Sequence, residues 1–347
     1  MSIIVGRWRS SLSPEGTNFW SPSCSRRRMK DRIVLALGGN ALQRPGGRGS
    51  WEEAVERMRR TAPAIAELAA AGHEIALCHG NGPQVGALLR TTELAASEVP
   101  PRPLDVLVAE SEGQIGYLIQ QELSDALAVA KVERTVFSMI SRMEVARRDP
   151  AFRTPTKPIG SLYTEEQARR LRKTAGWTIV PDAGRGGWRR VVPSPRPVRW
   201  IEGAAVRSWF DAGLAKGAIP IVAGGGGIPV VRAGGRLEGV EAVLDKDLAA
   251  SLVAREIGAK RLVIVTDVPG IAVGYGTKWE QWLGAIRLDV LERWQRSGEF
   301  PVGSMGPKVE AGIDFLKSGG REFIVTDIPS LGRALAHDAG TRVQANA

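Results

Sequence analysis

Four apolar segments of this chain end in clusters of glycine, and this repeated pattern limits the folds that the chain can adopt. They are RIVLALGGNAL (32–42), EIALCHGNGPQVG (74–86), AIPIVA followed by four glycines (218–227) and EFPVGSMGPKVEAG (299–312). Glycine lets backbone N–H groups approach a bound anion, and a helix start beyond it adds a positive dipole end. A single cluster is a common turn, but four in one chain predict loops that bind phosphate.

Strands and helices alternate along the chain from Asp31 onward. Buried-strand patterns occur at 32–37, 74–79, 134–140, 218–223, 261–266 and 322–326. Helical apolar spacing separates them, for example over 51–72 and 104–130. This order predicts an α/β protein with a mostly parallel sheet covered by helices on both faces. Parallel strands bring their loops to one edge of the sheet, where ligands bind.

Residues 147–200 interrupt this alternation. The segment contains three prolines near its start and then a short predicted helix, with Thr164 and Gln167 in capping-box spacing. Twisted strands joined by a glycine turn are predicted to follow. We therefore expect a small inserted subdomain at 147–200, which we interpret as a lid over the ligand-binding edge.

Composition is typical of a soluble globular protein, with 43% hydrophobic and 24% charged residues. No apolar run approaches the ~18 residues of a membrane helix. The net charge of +10 does not predict nucleic-acid binding, because half of it lies in residues 1–30 and no aromatic-basic groove pattern appears. The two cysteines, Cys24 and Cys78, are too few for a disulfide framework and fit a reducing cytoplasm.

Residues 1–30 form an Arg- and Ser-rich leader that is poor in acidic residues. The leader lacks the apolar core of a secretory signal, and its composition overlaps with that of an organelle transit peptide. A translation start placed too early, with Met29 as the natural one, is the preferred interpretation. In either case we expect the leader to be disordered.

Lys246 and Lys308 each follow a glycine loop at a predicted helix start, where phosphoryl transfer would need cations. An isolated lysine is usually an exposed surface residue, but Asp245 and Asp247 flank Lys246 and can hold it in one position. His79 could serve as a base, although packing within its strand is the more common role. None of the glycine loops matches GxxxxGK[ST] or a strand-linked GxGxxG, so a P-loop or dinucleotide-binding Rossmann protein is not supported.

Eight motifs resemble, in order, those of the carbamate kinases in the amino acid kinase family, and the resemblance covers essentially residues 31–347. They are RIVLALGGNAL, CHGNGPQVG, PLDVLVAESEGQIGY, AFRTPTKPIG, DAGRGGWRRVVPSP, GGGGIPVV, GVEAVLDKD and VGSMGPKVEAG. The resemblance implies an amino acid kinase domain over 31–347, an open three-layer αβα sandwich with an eight-stranded sheet, and a homodimer. It also implies a phosphotransferase acting between ATP and carbamate with Mg²⁺, commonly making ATP from carbamoyl phosphate and ADP.

The same resemblance implies roles for individual residues, and it implies no metal ligand from a protein side chain. Around carbamate and the moving phosphoryl group it places Gly38, Gly39, Asn40, Gly80, Asn81 and Gly82. On the nucleotide side it places Gly224, Gly225, Gly226, Asp245, Asp267, Tyr275 and Met305, with Tyr275 near the adenine. The implied catalytic residues are Lys157, Lys246, Lys308 and Asp247.

Ala36 distinguishes this chain from other members of the amino acid kinase family. Acetylglutamate kinase and similar members have a lysine two residues before the first Gly-Gly, where this chain has Ala36. Carbamate kinases resemble this chain in that respect and supply a lysine from the inserted subdomain, which matches Lys157. Two alternatives remain: another small-acid kinase of the fold, which a lysine at position 36 would favour, or a non-catalytic sensor, which would tolerate loss of the lysines.

Overall fold

A computed structural model describes residues 31–39, 42, 49–182, 186–300 and 305–345. The predicted leader and Asn40 lie outside this part of the chain, so the expectations for them are not addressed below. Within the described ranges, no helix is long and apolar enough to cross a membrane.

The described chain contains short and long strands in several sheets. In chain order they are β1 (Arg32–Leu37), β2 (Glu74–His79), β3 (Thr135–Ser138), β4 (Arg142–Val145), β5 (Lys157–Tyr163), β6 (Ile179–Asp182), β7 (Gly187–Val192), β8 (Pro197–Trp200), β9 (Ala218–Ile221), β10 (Ile228–Ala233), β11 (Arg236–Gly239), β12 (Arg261–Thr266), β13 (Ala272–Val273), β14 (Gln281–Trp282), β15 (Ala285–Arg287), β16 (Glu322–Asp327) and β17 (Thr341–Gln344). The helices are α1 (Trp51–Ala70), α2 (Gly82–Leu94), α3 (Leu104–Val129), α4 (Glu165–Ala175), α5 (Gly203–Asp211), α6 (Lys246–Glu256), α7 (Leu288–Arg296), α8 (Met305–Lys317) and α9 (Leu331–Leu335).

The largest sheet has eight strands in the spatial order β15, β17, β16, β12, β1, β2, β9, β3. Neighbouring strands are parallel except for β16 and β17. Leu37 at the end of β1 is in register with His79 of β2 and Val265 of β12. The carboxyl ends of these central strands therefore meet at one edge, and their loops share one site.

Alternating residues of the central strands face two separate hydrophobic layers. Val34 and Ala36 of β1 pack in a core with residues of α5, α6, α7 and α8. Ile33 and Leu35 pack on the opposite face with residues of α1, α3 and α9. Continuous apolar runs are typical of parallel strands buried on both faces. The predicted α/β class, with a three-layer αβα sandwich around an eight-stranded sheet, is confirmed.

The inserted segment folds as a three-stranded antiparallel sheet, β5-β7-β6, beside α4. Thr164 and Gln167 form the predicted capping box at the start of α4. The last part of the predicted range, β8, instead pairs with β4 in a four-stranded sheet. Trp200 of β8 is 1% exposed and belongs to the main core, which fixes this strand to the body of the protein. Movement of the insert as a lid stays a prediction.

Candidate active site

The start of α6 orders the predicted phosphate-binding residues. Asp245 occupies the N-cap position, and its carboxylate accepts the backbone N–H of Asp247 at 2.9 Å. A capping carboxylate satisfies one of the unpaired N–H groups of the first turn. The cap therefore fixes Lys246 and Asp247 at the positive end of the helix dipole, where anions are favoured.

Asp247 joins two of the predicted catalytic lysines. Its side chain is nearly inaccessible to solvent, with the residue 2% exposed. Lys246 Nζ donates to one carboxylate oxygen, and Lys308 Nζ, from α8, donates to the other at 3.0 Å. Two lysines that lie 62 positions apart in sequence are thus held together by one buried carboxylate.

Burial and charge act against each other in this triad. Burial alone would raise the pKa of Asp247, but the charges of Lys246 and Lys308 outweigh it and lower that pKa to about 2. Burial also lowers the pKa of Lys246, and this effect together with the charge of Lys308 exceeds the opposing effect of Asp247. The negative charge of Asp247 thus raises the pKa of Lys246, but the net pKa of Lys246 is lowered. For Lys308, burial is outweighed by Asp247, and the pKa is raised.

Lys157 reaches the same helix start from the inserted sheet. Its Nζ donates to the backbone carbonyl of Leu244 at 2.7 Å and lies 3.4 Å from a carboxylate oxygen of Asp245. Ala36 stands at the position where the resemblance places a lysine in acetylglutamate kinase and similar members, and it is fully buried in the core. The insert thus brings a cation to the site, and the strand that could have carried one contributes only packing.

The glycines after β1 and β2 adjoin Lys246. Gly38 donates its N–H to the end of β12 at 2.8 Å. A side chain at Gly80 would begin 3.2 Å from Lys246 Cδ, so the bare glycine makes room for the lysine stem. At Gly39 and Gly82 an added Cβ would meet no atom within 4 Å. These two loops therefore border open space beside the lysine, where a small anion can be accommodated.

The four-glycine loop offers fewer free donors than the sequence suggests. Gly224 donates its N–H to the Glu112 carboxylate at 2.7 Å, and Gly226 and Gly227 donate theirs to carbonyls within the loop at 3.0 and 2.9 Å. Three of the four N–H groups are therefore bonded within the protein and are not available to an anion. In the part of the chain that is described, the N–H of Gly225 has no hydrogen-bond partner.

Asn81 lies against this loop. A Cβ at Gly225 would be 2.1 Å from Asn81 Nδ2, and Gly225 has a φ of +67°. Only glycine therefore fits at position 225. Asn81 is itself held by donating its Nδ2 to Ser111 Oγ at 2.8 Å. Gly225 is thus packed against Asn81, one of the residues predicted for carbamate.

His79 and Cys78 are buried at the end of β2. His79 Nδ1 lies 3.1 Å from the carbonyl of Gly80, and burial lowers the His79 pKa to about 4. Burial likewise raises the pKa of the Cys78 thiol to about 12. At these pKa values the histidine is neutral and the thiol protonated at pH 7. The complete burial of His79 confirms the packing role predicted for it, and Cys78 belongs to the main core.

The aromatic candidates line a second part of the site. A cavity of about 180 Å³ lies beyond the end of β12, and Tyr275 meets Trp282 edge-to-face there with ring centroids 6.1 Å apart. Sequence reasoning missed Trp282 and Phe300. For Trp282 the available signal was the aromatic pair in WEQW, whose tryptophans lie four and seven residues after Tyr275. The cavity is lined by Thr266, Asp267, Val268, Ala272, Tyr275, Trp282, Phe300, Met305 and Lys308.

Glu112 and Ser141 were also missed. Burial raises the pKa of Glu112 to about 8, against its hydrogen bonds from Ser141 and Gly224, which favour the charged form. The available signal was a glutamate flanked by Val108 and Ile115 on the apolar face of α3. A carboxylate at such a position is either paired with donors or costly to bury.

Together, the parallel sheet and the lysines beside its glycine loops define an α/β protein suited to binding phosphorylated anions. A family comparison makes the assignment specific, because the model of the amino acid kinase family matches residues 31–327. The chain belongs to the amino acid kinase family.

Individual relatives cover almost the whole chain. A carbamate kinase of Pyrococcus horikoshii is 45% identical over 317 residues, which cover 91% of this chain and 99% of the relative. The carbamate kinase-like protein YahI of Escherichia coli is 41% identical over 318 residues, covering 91% and 99%. The solved structure of a carbamate kinase from Giardia lamblia bound to AMP-PNP has a TM-score of 0.85 at 35% identity, covering 92% of this chain and 99% of that chain.

Proposed function

We propose that this protein is a carbamate kinase, which transfers a phosphoryl group reversibly between ATP and carbamate. The observation that carries the proposal is the meeting of Lys157, Lys246 and Lys308 at one edge of the sheet, with Ala36 buried where other acid kinases have a lysine. Curated relatives named carbamate kinase match the chain at 43 to 45% identity over nearly its full length.

The chemistry suits a site without a general base. In the direction of ATP synthesis, a β-phosphate oxygen of ADP attacks the phosphorus of carbamoyl phosphate. The bond between phosphorus and the carbamate oxygen breaks, and carbamate leaves with the electron pair as an anion. No proton is transferred in this step, so a buried neutral His79 is compatible with the reaction. Catalysis then consists of positioning and of stabilising charge on the phosphoryl oxygens.

The lysines are placed for this second task. Lys246 lies between the glycine loops and Asp247, and Lys308 extends from Asp247 to the aromatic cavity. We assign Lys246 to the oxygens of the transferring phosphoryl group and Lys308 to the nucleotide phosphates. Lys157, which the insert supplies, is assigned to the phosphoryl oxygens as well. A compact ammonium suits these roles because it can follow an oxygen as the oxygen moves.

The aromatic cavity is the proposed site of the nucleotide base. Tyr275 and Trp282 offer flat apolar faces, and Met305 and Lys308 line the same cavity, so that the Lys308 ammonium is available to the phosphates. The AMP-PNP complex of the Giardia lamblia enzyme, which shares this fold, supports a nucleotide in the family site. Asp267 at the end of β12 lines the same cavity and is available to nucleotide hydroxyls or to the metal of the nucleotide.

We propose that Mg²⁺ arrives with the nucleotide as part of the substrate. In the ranges that are described, no group of three or more His, Cys, Asp or Glu side chains could hold a metal ion. Magnesium in kinases is typically held by substrate phosphates with one or two carboxylates. Activity should therefore disappear with EDTA and return with MgCl₂, whereas the melting temperature of the nucleotide-free protein should not respond to EDTA.

A homodimer and a cytoplasmic location are implied by the resemblance and remain proposals. Light scattering of the purified chain tests the first, because a monomer mass near 37.3 kDa would contradict it. Fractionation of cells that express the native gene tests the second.

The decisive experiment is a coupled assay that scores ATP from ADP and carbamoyl phosphate. Acetyl phosphate and acetylglutamyl phosphate serve as competing donors, and Lys246→Met is compared with Lys216→Met, which changes an exposed lysine outside the site. We expect ATP from carbamoyl phosphate, loss of turnover by roughly 100-fold in Lys246→Met and none in the control. Preference for another acyl phosphate would indicate a different acid kinase, and binding without turnover would indicate a sensor.

A further inference from the structure

Glu112 lies in the middle of α3 with its carboxylate pointing at two backbone segments. The residue is 1% exposed. One carboxylate oxygen accepts the N–H of Gly224 at 2.7 Å, and the other accepts the N–H of Ser141 at 3.1 Å. A single side chain thus links the long helix to the four-glycine loop and to the start of β4.

Ser141 extends this link to the next residue of the loop. Its hydroxyl oxygen accepts the N–H of Ala223 at 2.8 Å and donates to the carbonyl of Met139 at 3.2 Å. Glu112 and Ser141 therefore bind the consecutive N–H groups of Ala223 and Gly224. Both N–H groups are therefore already bonded within the protein.

The loop that they hold is strained. Ala223 has a φ of +51°, a left-handed conformation that costs free energy for a residue with a Cβ. Gly225, Gly226 and Gly227 also have positive φ values. Such a conformation persists only where surrounding contacts impose it. The hydrogen bonds to Glu112 and Ser141 hold it here, together with the bond from the Gly226 N–H to the Ala223 carbonyl.

This arrangement decides which donor the loop offers. With the neighbouring N–H groups occupied, Gly225 keeps an N–H without a partner in the described chain, next to Asn81 of the substrate-side loop. We propose that Glu112 is a positioning residue, which holds residues 223–227 in the conformation that presents Gly225 to the phosphoryl group of the acyl phosphate. This inference rests on the proposed function, because it assumes that the acyl phosphate binds beside Asn81.

The test compares Glu112→Gln with a matched control on the same helix. Glutamine keeps the length and one acceptor oxygen, but its NH₂ group would face the N–H of Gly224 or Ser141. Glu122→Gln changes another buried carboxylate of α3, which is bound by Arg59 at 2.8 Å and makes no contact with the loop. Kinetics are measured at pH 9, above the Glu112 pKa of about 8, so that the wild type is compared as the carboxylate.

We expect Glu112→Gln to raise the KM for carbamoyl phosphate by roughly tenfold or more and to lower kcat, with the KM for ADP within about twofold. Ser141→Ala, which removes the acceptor for Ala223, should repeat this pattern more weakly and provides the test if Glu112→Gln does not fold. Glu122→Gln should lower the melting temperature without changing either KM. An unchanged KM for carbamoyl phosphate in both loop variants, or equal changes in both KM values, would overturn the inference.

Hydrogen exchange separates this inference from the proposed function. If wild-type protein makes no ATP from carbamoyl phosphate, the proposed function fails, and the exchange of residues 221–228 still reports on Glu112. Millimolar inorganic phosphate should slow exchange of this peptide in the wild type and in Glu122→Gln but not in Glu112→Gln. Equal protection in all three proteins would show that Glu112 does not position the loop.

Discussion

Asp247→Asn removes the one negative charge that lies between Lys246 and Lys308 and leaves their packing almost unchanged. The pKa of Asp247 is lowered from 3.8 to about 2, which corresponds to on the order of 2 kcal/mol of folding free energy for the ionised carboxylate. Because the folded pKa is depressed, this contribution is present above pH 4 and is lost as the pH falls toward 2. Breaking a buried ion pair on one side typically costs about 3–5 kcal/mol.

We therefore expect Asp247→Asn to unfold at a lower urea concentration, with a loss of about 3–5 kcal/mol at pH 7. Lys246→Met alone should change stability little, because Asp247 keeps Lys308 as its partner and the repulsion between the lysines disappears. The double variant, Lys246→Met with Asp247→Asn, removes one of the two cations that Asp247→Asn leaves uncompensated. Its free energy of unfolding should be at least about 1 kcal/mol higher than that of Asp247→Asn. Turnover should fall in Asp247→Asn, but less than in Lys246→Met.

Urea titrations of the four proteins, followed by far-UV circular dichroism, complete this double-mutant cycle. The cycle isolates the interaction between the two residues from their separate effects. A stability of Asp247→Asn within about 1 kcal/mol of the wild type would refute the reasoning, as would strict additivity of the two substitutions. Either result would mean that solvent or a bound ion compensates the lysines.

Four further outcomes follow from the same geometry. Lys308→Met should reduce turnover by roughly 100-fold in the coupled assay with little change in melting temperature. Lys157→Ala should also reduce turnover by roughly 100-fold. A loss of only a few-fold would show that Lys157 of the insert does not take part in catalysis. Tyr275→Ala should raise the KM for ADP several-fold more than the KM for carbamoyl phosphate. A larger rise in the KM for carbamoyl phosphate would show that the nucleotide does not bind beside Tyr275. Burial raises the pKa of Glu112 in the folded protein to about 8. The free energy of unfolding of the wild type, relative to Glu112→Gln, should therefore fall by on the order of 5 kcal/mol as the pH rises from 4.5 to 8. A difference that does not change with pH would contradict this prediction.

The elements with strong local signals were predictable from sequence. The apolar run at 32–37 forms β1 with the predicted bounds, and the long helix predicted over 104–130 ends at Val129. Thr164 and Gln167 form both bonds of the capping box, at 3.2 and 2.9 Å. Such features depend on residues within a few positions of each other, so spacing alone identifies them.

Contacts between distant parts of the chain were not predictable in this way. The partner of Gly224 is Glu112, 112 positions earlier, and no spacing rule connects the two. The net pKa of Lys246 depends on burial and on Lys308, whereas the sequence offered only the neighbouring Asp247. Glycine spacing therefore located the loop, but tertiary contacts determine which of its donors are free.

The arrangement of Asp247 between two lysines also bears on how products leave. Among the described side chains that meet at the start of α6 there are three lysines and two aspartates, so the local balance is a single positive charge. This charge draws anions toward the loops, and the attraction weakens as ionic strength rises. Three uncompensated cations would bind a nucleoside triphosphate far more tightly than this single net charge does. Partial neutralisation by the aspartates should weaken this hold and so favour release of the anionic products.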